Sequence, residues 1–456
     1  MAAKKILLLL SSDRYAYPLL RYLTEEGRAC GWKIRIGCLF DPAIAGRIAE
    51  ERFSAEPDLF TISEIRECDR VIKKSDLVIS MVNDLHVLQI ADSCISHRKT
   101  LISPARLTRQ MALKRTLAKE NGVLLLFDCG FSPGLDHITA KKAIDNIHTK
   151  GGKITSFRTY SGAFVPDHAG GNPCECKLSE PVGDLLASGR QTNRHLVNGQ
   201  LQHIPYSRLF ERAQPLEIPS LAETVVIPEG DSLYYRKIYE LSHAHTVVRG
   251  KIFPKAFAHM WNLMIRSGLT DHAAKVDLYG DSSFRHLLNS LLPYSPSETM
   301  ERRLEEYCQA DPLGVQQFKW LGLFDNDWIE TQKEITPATI LEHLVEKKLR
   351  SASGDRDCVV IRHELGYEFR DEHFEFSATL LSNGEDMRTS ALATTLGYAC
   401  GAAAKAVLLG KISLKGIHIP VIREIYDPVL NELEELGLAF QVTDVKMQAE
   451  EVNPVG

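Results

Sequence analysis

Residues 5–16, Lys5-Ile-Leu-Leu-Leu-Leu-Ser-Ser-Asp-Arg-Tyr-Ala16, join a short apolar run to a polar turn and the start of a helical pattern. Five consecutive apolar residues, 6–10, are typical of a strand that is covered on both faces of a parallel sheet. Pro18 has no N–H group and fits a helix only in its first turn, so the helix should begin near Arg14 or Tyr15. The segment therefore predicts a strand, a tight turn and a helix.

The same alternation continues through the first third of the chain. Strands are predicted at 5–10, 33–39, 59–62, 76–82, 100–103 and 122–127, and helices between them at 18–27, 42–52, 64–74, 86–97 and 109–121. This order predicts an α/β fold with a Rossmann-type doubly wound parallel sheet. Ligands of such sheets lie beyond the carboxyl ends of the strands, which directs attention to the residues after Leu10, Leu39, Val82 and Ser103.

Composition excludes several classes of protein. The 456 residues are 44% hydrophobic and 25% charged, as in an ordinary globular protein, and the net charge of −5 offers no basic surface for nucleic acid. The apolar run at 6–10 is too short for a signal peptide or a membrane span, so we expect a cytoplasmic protein with no membrane partner. The cysteines are scattered, and Cys174 and Cys176 lack a second pair at metal-ligand spacing. We therefore predict buried thiols and no metal.

The first turn lacks the glycines of a dinucleotide-binding fingerprint, G-x-G-x-x-G or G-x-G-x-x-A. It reads Ser11, Ser12, Asp13 and retains only the final small residue, Ala16. Asp13 would repel a diphosphate by about 4 kcal/mol at ~4 Å, so we expect weak binding of NAD(P)H and tighter binding by Asp13→Gly. Alternatively, Ser12 or Asp13 is the N-cap of the helix. Asp41 follows the second strand, where an acid would hold a ribose, although a solvated loop aspartate is equally consistent.

The segment Asp128-Cys-Gly-Phe-Ser-Pro-Gly-Leu-Asp-His137 resembles the motif E-x-G-L-D-P-G-x-D-H of the glutamate-forming saccharopine dehydrogenases. Further segments match that family in order along nearly the whole chain: Gly151 to Phe157, Tyr160-Ser-Gly162, Asn172-Pro173, Lys177, His243 to Gly250, Trp320 to Leu323 and Glu424 to Pro428. The chain is thus identified by resemblance as a member of this family.

The resemblance implies a Rossmann-like domain at 1–129, completed by about 390–456. It also implies a mixed α+β substrate and dimerisation domain at 130–255 and 351–389, with a helical domain at 256–350. The implied activity is NADP- or NAD-dependent cleavage or formation of the secondary amine that joins lysine and glutamate carbon skeletons. A small-molecule amino-acid substrate and a homodimer follow from the same resemblance.

Several motifs of the family are altered here. Ser80-Met-Val-Asn83 replaces S-x-L-P, Ser103-Pro-Ala-Arg106 replaces T-A-S-Y, and Pro228-Glu-Gly-Asp-Ser232 replaces P-N-R-D-S. Phe253 replaces the last arginine of R-G-T-L-R. Met81 and Ser103 follow strand ends and, with the first turn and Asp41, are the predicted cofactor contacts. The loss of two arginines points to a substrate whose carboxylates are fewer or differently placed.

Oxidation of an amine needs groups that take the amine proton and help water to add to the imine. Asp128, Asp136 and His137 bracket the turn after the sixth strand and are the predicted acid and base groups, with Tyr160 added by the resemblance. The alternatives are a helix N-cap role for Asp136, a core role for His137 and a packing role for Tyr160.

Substrate carboxylates need fixed cations. Ser161, Lys177, Arg190 and Arg194 lie in the segments that match the family's substrate region, and we predict that they bind substrate, with surface solvation as the alternative for each cation. Two functions therefore remain open: an active NAD(P)-dependent oxidoreductase acting on saccharopine or a related conjugate, and a non-catalytic relative that serves as a binding or assembly module. Cofactor binding separates them.

Overall fold

The computed structural model describes residues 5–11, 15–37, 55–58, 64–82, 84–167, 171–189, 192–276, 283–327 and 335–447. The chain divides into two compact units. The first comprises residues 1–153 and 382–442, and the second comprises residues 154–381 and 443–456.

The strands and helices of the described residues are numbered in chain order. The strands are β1 (Ile6–Leu10), β2 (Lys33–Gly37), β3 (Ala55–Asp58), β4 (Leu77–Ser80), β5 (Thr100–Ile102), β6 (Leu124–Leu126), β7 (Lys153–Pro166), β8 (Cys176–Leu178), β9 (Asn193–Val197), β10 (Gln200–Ile204), β11 (Gln214–Leu216), β12 (Thr224–Pro228), β13 (Thr246–Pro254), β14 (Cys358–Phe369), β15 (Glu372–Asn383), β16 (Gly416–His418) and β17 (Gln441–Lys446). The α-helices are α1 (Ala16–Cys30), α2 (Ile65–Lys73), α3 (Asp84–Ser96), α4 (Arg109–Ala112), α5 (Arg115–Glu120), α6 (Leu135–Thr149), α7 (Val182–Ser188), α8 (Ser232–Ile238), α9 (Lys255–Arg266), α10 (Phe284–Leu291), α11 (Met300–Cys308), α12 (Pro312–Leu321), α13 (Pro337–Leu349), α14 (Ala391–Leu408) and α15 (Arg423–Glu435).

The sheet of the first unit has the order β3-β2-β1-β4-β5-β6-β16 in the described residues, and neighbouring strands are parallel. Its central strand β1 is covered on both faces, since residues 7–10 are fully buried. Read from β3, the strands follow the order 3-2-1-4-5-6 of a doubly wound sheet, with a reversal between β1 and β4. The predicted fold class is confirmed.

Helix α1 packs closely on helix α14 because two glycines lie at their contact. A Cβ atom on Gly397 would lie 2.9 Å from the backbone nitrogen of Leu19, and one on Gly401 would lie 2.6 Å from the ring of Tyr22. Among the described residues, α14 is the one helix long and apolar enough to cross a membrane, and 72% of it is buried inside the protein. Its small apolar residues therefore serve helix packing in the core of the first unit.

The sheet of the second unit runs β10-β9-β13-β7-β14-β15-β17 in the described residues, and β8, β11 and β12 pair at its side. Strands β7 and β13 are parallel, whereas β12 and β9 are antiparallel to β13. The helices α9 to α13 share one hydrophobic core with these strands, through side chains that include Trp261, Phe318 and Val248.

Some element boundaries differ from the sequence-based ones. The helix predicted at 109–121 is two short helices, α4 and α5, and helix α6 lies in the first unit rather than in a domain that begins at 130. Strand β17 pairs with β15, and residues 443–456 lie in the second unit instead of completing the first. The predicted strand 59–62 and helix 42–52 lie outside the described residues.

Candidate functional site

The residues after β1, β4 and β5 lie at the carboxyl edge of the first sheet, as predicted. The N–H of Met81 donates to Leu10 O at 2.8 Å, and the N–H of Ser103 donates to Leu126 O at 2.8 Å. The N–H of Ser11 donates to Gly37 O at 3.2 Å. These three residues are buried. We call this edge, residues 11, 80, 81, 103–107, 128, 136 and 137, the carboxyl rim.

The start of α1 is compatible with a dinucleotide. Ala16 is the first helical residue, its N-cap Tyr15 makes no side-chain capping hydrogen bond, and the first turn contains no acidic residue. Helix N-termini at this place in a doubly wound sheet bind phosphates through their backbone N–H groups. The predicted contacts Ser12, Asp13 and Asp41 lie outside the described residues.

A buried hydroxyl group gives a second indication of a ligand at the rim. The side chain of Ser80, the last residue of β4, is fully buried, and its Oγ has no hydrogen-bond partner among the described residues. A buried hydroxyl without a partner is unfavourable by about 1–3 kcal/mol. The residues present at the rim thus fit a polar ligand such as the ribose or amide of a nicotinamide nucleotide.

Asp128 connects the ends of β5 and β6. Its N–H donates to Ala105 O at 3.0 Å, and its Oδ1 accepts the N–H of Leu107 at 2.7 Å. The hydroxyl of Ser103 donates to Ser80 O at 2.8 Å and accepts the N–H of Ala105 at 3.2 Å. Asp128 has a φ of 52°, a conformation that residues other than glycine adopt rarely. Residues 103–107 are therefore fixed against Asp128.

The turn after Asp128 requires two glycines. The backbones of Gly130 and Gly134 cross so closely that a Cβ atom on Gly134 would lie 2.1 Å from Gly130 O. Gly134 also has a φ of 149°. This crossing explains why the motif has a glycine at each end of Gly130-Phe-Ser-Pro-Gly134, and it directs the chain into α6.

Asp136 is bonded to its own turn. Its Oδ1 accepts the N–H groups of Gly134 at 2.7 Å and His137 at 2.8 Å, and its Oδ2 accepts the hydroxyl of Ser132 at 2.9 Å. Its residue is 2% exposed, so these bonds satisfy a buried carboxylate. The N-cap of α6 is Gly134 and Asp136 lies in the first helical turn, so Asp136 is not the N-cap residue that the sequence offered as an alternative.

His137 and Asp128 lie side by side at the start of α6. Nε2 of His137 is 3.8 Å from Oδ2 of Asp128, and the side chains are 1% and 5% exposed. At this distance a protonated imidazole and the carboxylate would form an ion pair, and their shared burial reduces its screening by solvent. The structure thus brings together two of the predicted acid and base residues with opposite charge preferences.

Tyr160 and Ser161 lie on β7 in the second unit. In the parallel pairing with β13, Tyr160 is opposite Gly250 and Ser161 is opposite Lys251. Both are buried, and Tyr160 belongs to the hydrophobic core of the unit. Burial raises the pKa of Tyr160, and Glu364 raises it further. Its phenol group is therefore a proton donor rather than an anion at neutral pH.

The predicted substrate cations of the second unit have carboxylate partners within the chain. Nζ of Lys177 lies 2.9 and 2.8 Å from the two carboxylate oxygens of Asp355. Arg194 binds Asp231 through two parallel hydrogen bonds of 2.7 and 2.6 Å, the geometry in which guanidinium recognises a carboxylate. Arg190 lies outside the described residues. Substrate binding by these residues stays a prediction.

Lys251, which lies opposite Ser161 in the pairing of β7 with β13, is a cation that sequence reasoning did not single out. Its Nζ lies 3.1 Å from Glu180 and 3.9 Å from Glu229. Burial lowers the pKa of Lys251, but the two glutamates outweigh this effect and raise it. The available signal was the motif comparison, because Glu229 and Lys251 both fall within segments that depart from the family.

The described residues contain no group of three or more His, Cys, Asp or Glu side chains placed to hold a metal ion. Cys174 and Cys176 are buried, and burial raises the pKa of Cys174 to about 12. A neutral thiol is a poor metal ligand. Apart from Cys30, the cysteines of the described residues are buried and free.

The sequence matches the family described as "Saccharopine dehydrogenase C-terminal domain" over residues 130–438. The chain belongs to that family. The match begins at Gly130, the first glycine of the crossed turn, and ends after α15, so it includes residues 154–381 of the second unit and residues 130–153 and 382–438 of the first. The resemblance inferred from the motifs is confirmed.

Individual members of the saccharopine dehydrogenase family are distant in sequence. The chain is 27% identical to mouse mitochondrial alpha-aminoadipic semialdehyde synthase over 96% of its own length and 48% of that protein. It thus spans about half the length of this relative. It is 26% identical to saccharopine dehydrogenase [NADP(+), L-glutamate-forming] of Pyricularia oryzae, over 95% of this chain and 97% of that one.

A solved structure confirms the fold. Apo saccharopine dehydrogenase (L-Glu forming) from Saccharomyces cerevisiae superposes with a TM-score of 0.86 and 24% identity, covering 97% of this chain and 100% of that one. At this identity the likeness establishes the architecture, and the site residues must be argued from their own geometry.

Proposed function

We propose that this protein is an NADP- or NAD-dependent oxidoreductase that acts on the C–N bond of saccharopine or a related amino-acid conjugate. The buried pair of Asp128 and His137 at the carboxyl rim carries the proposal, because it places proton-handling groups where a doubly wound sheet binds nucleotides. Family membership and the names of the relatives, several of them NADP-dependent saccharopine dehydrogenases, support it.

Oxidation of the secondary amine removes a hydride from carbon and a proton from nitrogen, after which water adds to the imine and the C–N bond breaks. Bound NADP⁺ supplies the hydride acceptor. The start of α1 and the hydroxyl of Ser80 are the described groups that would hold it.

The chain's own groups handle the protons. His137 accepts the amine proton, and the carboxylate of Asp128, 3.8 Å away, stabilises the imidazolium that forms. Asp136 is a positioning residue in this mechanism, because its carboxylate is bonded to the turn that carries His137. The same imidazolium returns a proton to the departing amine when the C–N bond breaks.

The wider setting of the protein forms part of the proposal. A cytoplasmic location without a membrane partner agrees with the buried, free cysteines, since a reducing compartment keeps thiols reduced. A homodimer follows from the family resemblance, and sedimentation would test it.

Nucleotide binding is the first test. NADPH and NADH are titrated against the intrinsic fluorescence of the protein, and NADPH formation from NADP⁺ and saccharopine is then followed by absorbance. The proposal expects both binding and turnover. Binding without turnover of saccharopine or related conjugates would favour a non-catalytic relative, and absence of binding would overturn the oxidoreductase assignment.

The variant Asp13→Gly sharpens this test because Asp13 lies in the altered first turn. Removing a carboxylate next to a diphosphate is expected to tighten nucleotide binding. Unchanged or weaker binding by the variant would contradict the repulsion argument without affecting the assignment of Asp128 and His137.

A further inference from the structure

Arg106, which the motif comparison identified only as a departure, is a cation at the carboxyl rim of the first unit. A substrate that carries carboxylates needs a cation whose own charge is not already neutralised. Lys177 and Arg194 are each bound to a carboxylate of the chain, Asp355 and Asp231. Both charges are thus compensated by carboxylates of the chain, so a cation without such a partner is of particular interest.

The backbone of Arg106 is fixed on both sides by one residue. Ala105 O accepts the N–H of Asp128 at 3.0 Å, and Leu107 N–H donates to Oδ1 of Asp128 at 2.7 Å. The hydroxyl oxygen of Ser103 accepts the N–H of Ala105 at 3.2 Å. Arg106 therefore extends from a rigid loop at the end of β5, next to the proposed acid–base pair.

The side chain of Arg106 is exposed, and within the part of the chain that the structure describes it makes no ion pair or hydrogen bond. The nearest acid in the loop, Asp128, directs one oxygen to the N–H of Leu107 and the other towards His137. A free guanidinium on a fixed backbone is a suitable partner for a carboxylate. Binding then restricts only the rotamers of the arginine, because the loop that carries it is already ordered.

We propose that Arg106 binds a carboxylate of the substrate and selects acidic amino-acid conjugates, an inference that rests on the proposed function. The family motif has a neutral tyrosine at this position, whereas Gly230 and Phe253 stand where the family has arginines. Arg106 thus adds a guanidinium at a position where the family motif has a neutral side chain.

The test compares Arg106→Gln and Arg106→Lys with Arg109→Gln. Arg109 is a matched control, because it is also exposed and lies three residues further on, at the start of α4, where no residue clamps it to Asp128. A charge-assisted hydrogen bond contributes about 1.5–3 kcal/mol, so Arg106→Gln should raise KM for saccharopine about 10- to 100-fold.

Other readouts separate recognition from a structural effect. In Arg106→Gln, kcat and the affinity for NADPH should change less than about threefold, and Arg106→Lys should recover part of the KM. An equal rise in KM with Arg109→Gln, a fall in kcat alone, or weaker NADPH binding would overturn the proposal. The last result would assign Arg106 to the cofactor's phosphate instead.

Failure of the proposed function is recognised separately. If the wild-type protein does not oxidise saccharopine, the binding of glutarate, a simple dicarboxylate, is measured by calorimetry on the full chain. Binding to the wild type that is lost in Arg106→Gln and kept in Arg109→Gln supports the carboxylate site. Equal binding by all three proteins, or none, overturns it.

Discussion

The carboxyl rim of the first unit and the sheet of the second unit hold their charged side chains in different ways. At the rim, Asp128 and Asp136 accept backbone N–H groups, which fix their positions without themselves adding an opposite formal charge. In the second unit, Lys177 and Arg194 bind carboxylates of the same chain. A side chain fixed by the backbone can still act on a substrate by its charge, whereas an ion-paired cation must first lose its partner.

The difference changes how a family motif is interpreted. Lys177 and Arg194 lie in segments that match the family, yet their charges are compensated within the chain. Arg106 lies in a segment that departs from the family, and its charge is free in the described structure. Charge that is both fixed in place and uncompensated is a better guide to a binding site here than agreement with a motif.

The largest expected effect comes from Gly134→Ala, which tests whether the rim depends on the crossed turn. The new Cβ atom would lie 2.1 Å from Gly130 O at a φ of 149°, so the turn must open. We expect the free energy of unfolding of the first unit to fall by about 3–5 kcal/mol. Urea denaturation measures it. Gly354→Ala is the control, since nothing lies within 4 Å of its Cβ position. An equal fall in the free energy of unfolding in this variant would show that the close contact at Gly134 is not the cause.

Asp128→Asn should separate charge from position. The amide oxygen can still accept the N–H of Leu107, but the negative charge beside His137 is lost. We expect kcat to fall about 100-fold or more with little change in thermal stability. The matched variant is Asp136→Asn, which retains one acceptor oxygen for three donors and should lower stability by about 1–3 kcal/mol. Full activity of Asp128→Asn would show that its charge is not used.

Lys177→Met tests the other side of the comparison. Because its ammonium is bound to Asp355, we expect KM for saccharopine to change less than about threefold. The unpaired Asp355, whose side chain is 18% exposed, should lower stability by about 1–2 kcal/mol. Lys446→Met breaks an exposed pair with Glu372 and should lower it by less than about 1 kcal/mol. A large rise in KM with Lys177→Met would instead show that Lys177 binds the substrate despite its ion pair with Asp355.

The smallest expected effect concerns His195, a buried histidine of the second unit. Burial lowers its pKa, and Arg212 lowers it further. The folded state then binds fewer protons than the unfolded state below the ordinary pKa of about 6.5, so the contribution to stability is present above that pH and is lost as the pH falls. His195→Gln should show a smaller drop in Tm than the wild type between about pH 7.5 and 5.5. An identical drop would exclude His195 as a source of the pH dependence.

Local sequence predicted the framework of the first unit. The apolar run at 6–10 and the similar runs that follow it predicted the parallel strands. Such predictions succeed because the spacing of apolar residues and the length of a run can be read from a short segment. Pro18 placed the start of α1 within a residue or two of Ala16. The motif at 128–137 located the turn that carries Asp128 and His137, because glycines at both ends are needed for the crossing.

The charges of the site could not be predicted in the same way. Lys177 and Asp355 are 178 residues apart in sequence, and no spacing rule connects them. The positive φ of Asp128 and the three hydrogen bonds of Asp136 depend on how the turn folds back on itself. Arg106 was visible only as a departure from a motif, and its importance follows from the two hydrogen bonds that fix its neighbours.

The place of β16 in the first sheet has a consequence for how the protein is made. Gly416, Ile417 and His418 pair with β6 at residues 124–126, so the last strand of this sheet is synthesised long after the others. A nascent chain that ends before residue 382 exposes the open side of β6 and the face of α1 that α14 later covers. We therefore expect the first unit to remain unfinished on the ribosome while the whole sheet of the second unit, except β17, is translated, which makes the partial chain a natural client for chaperones.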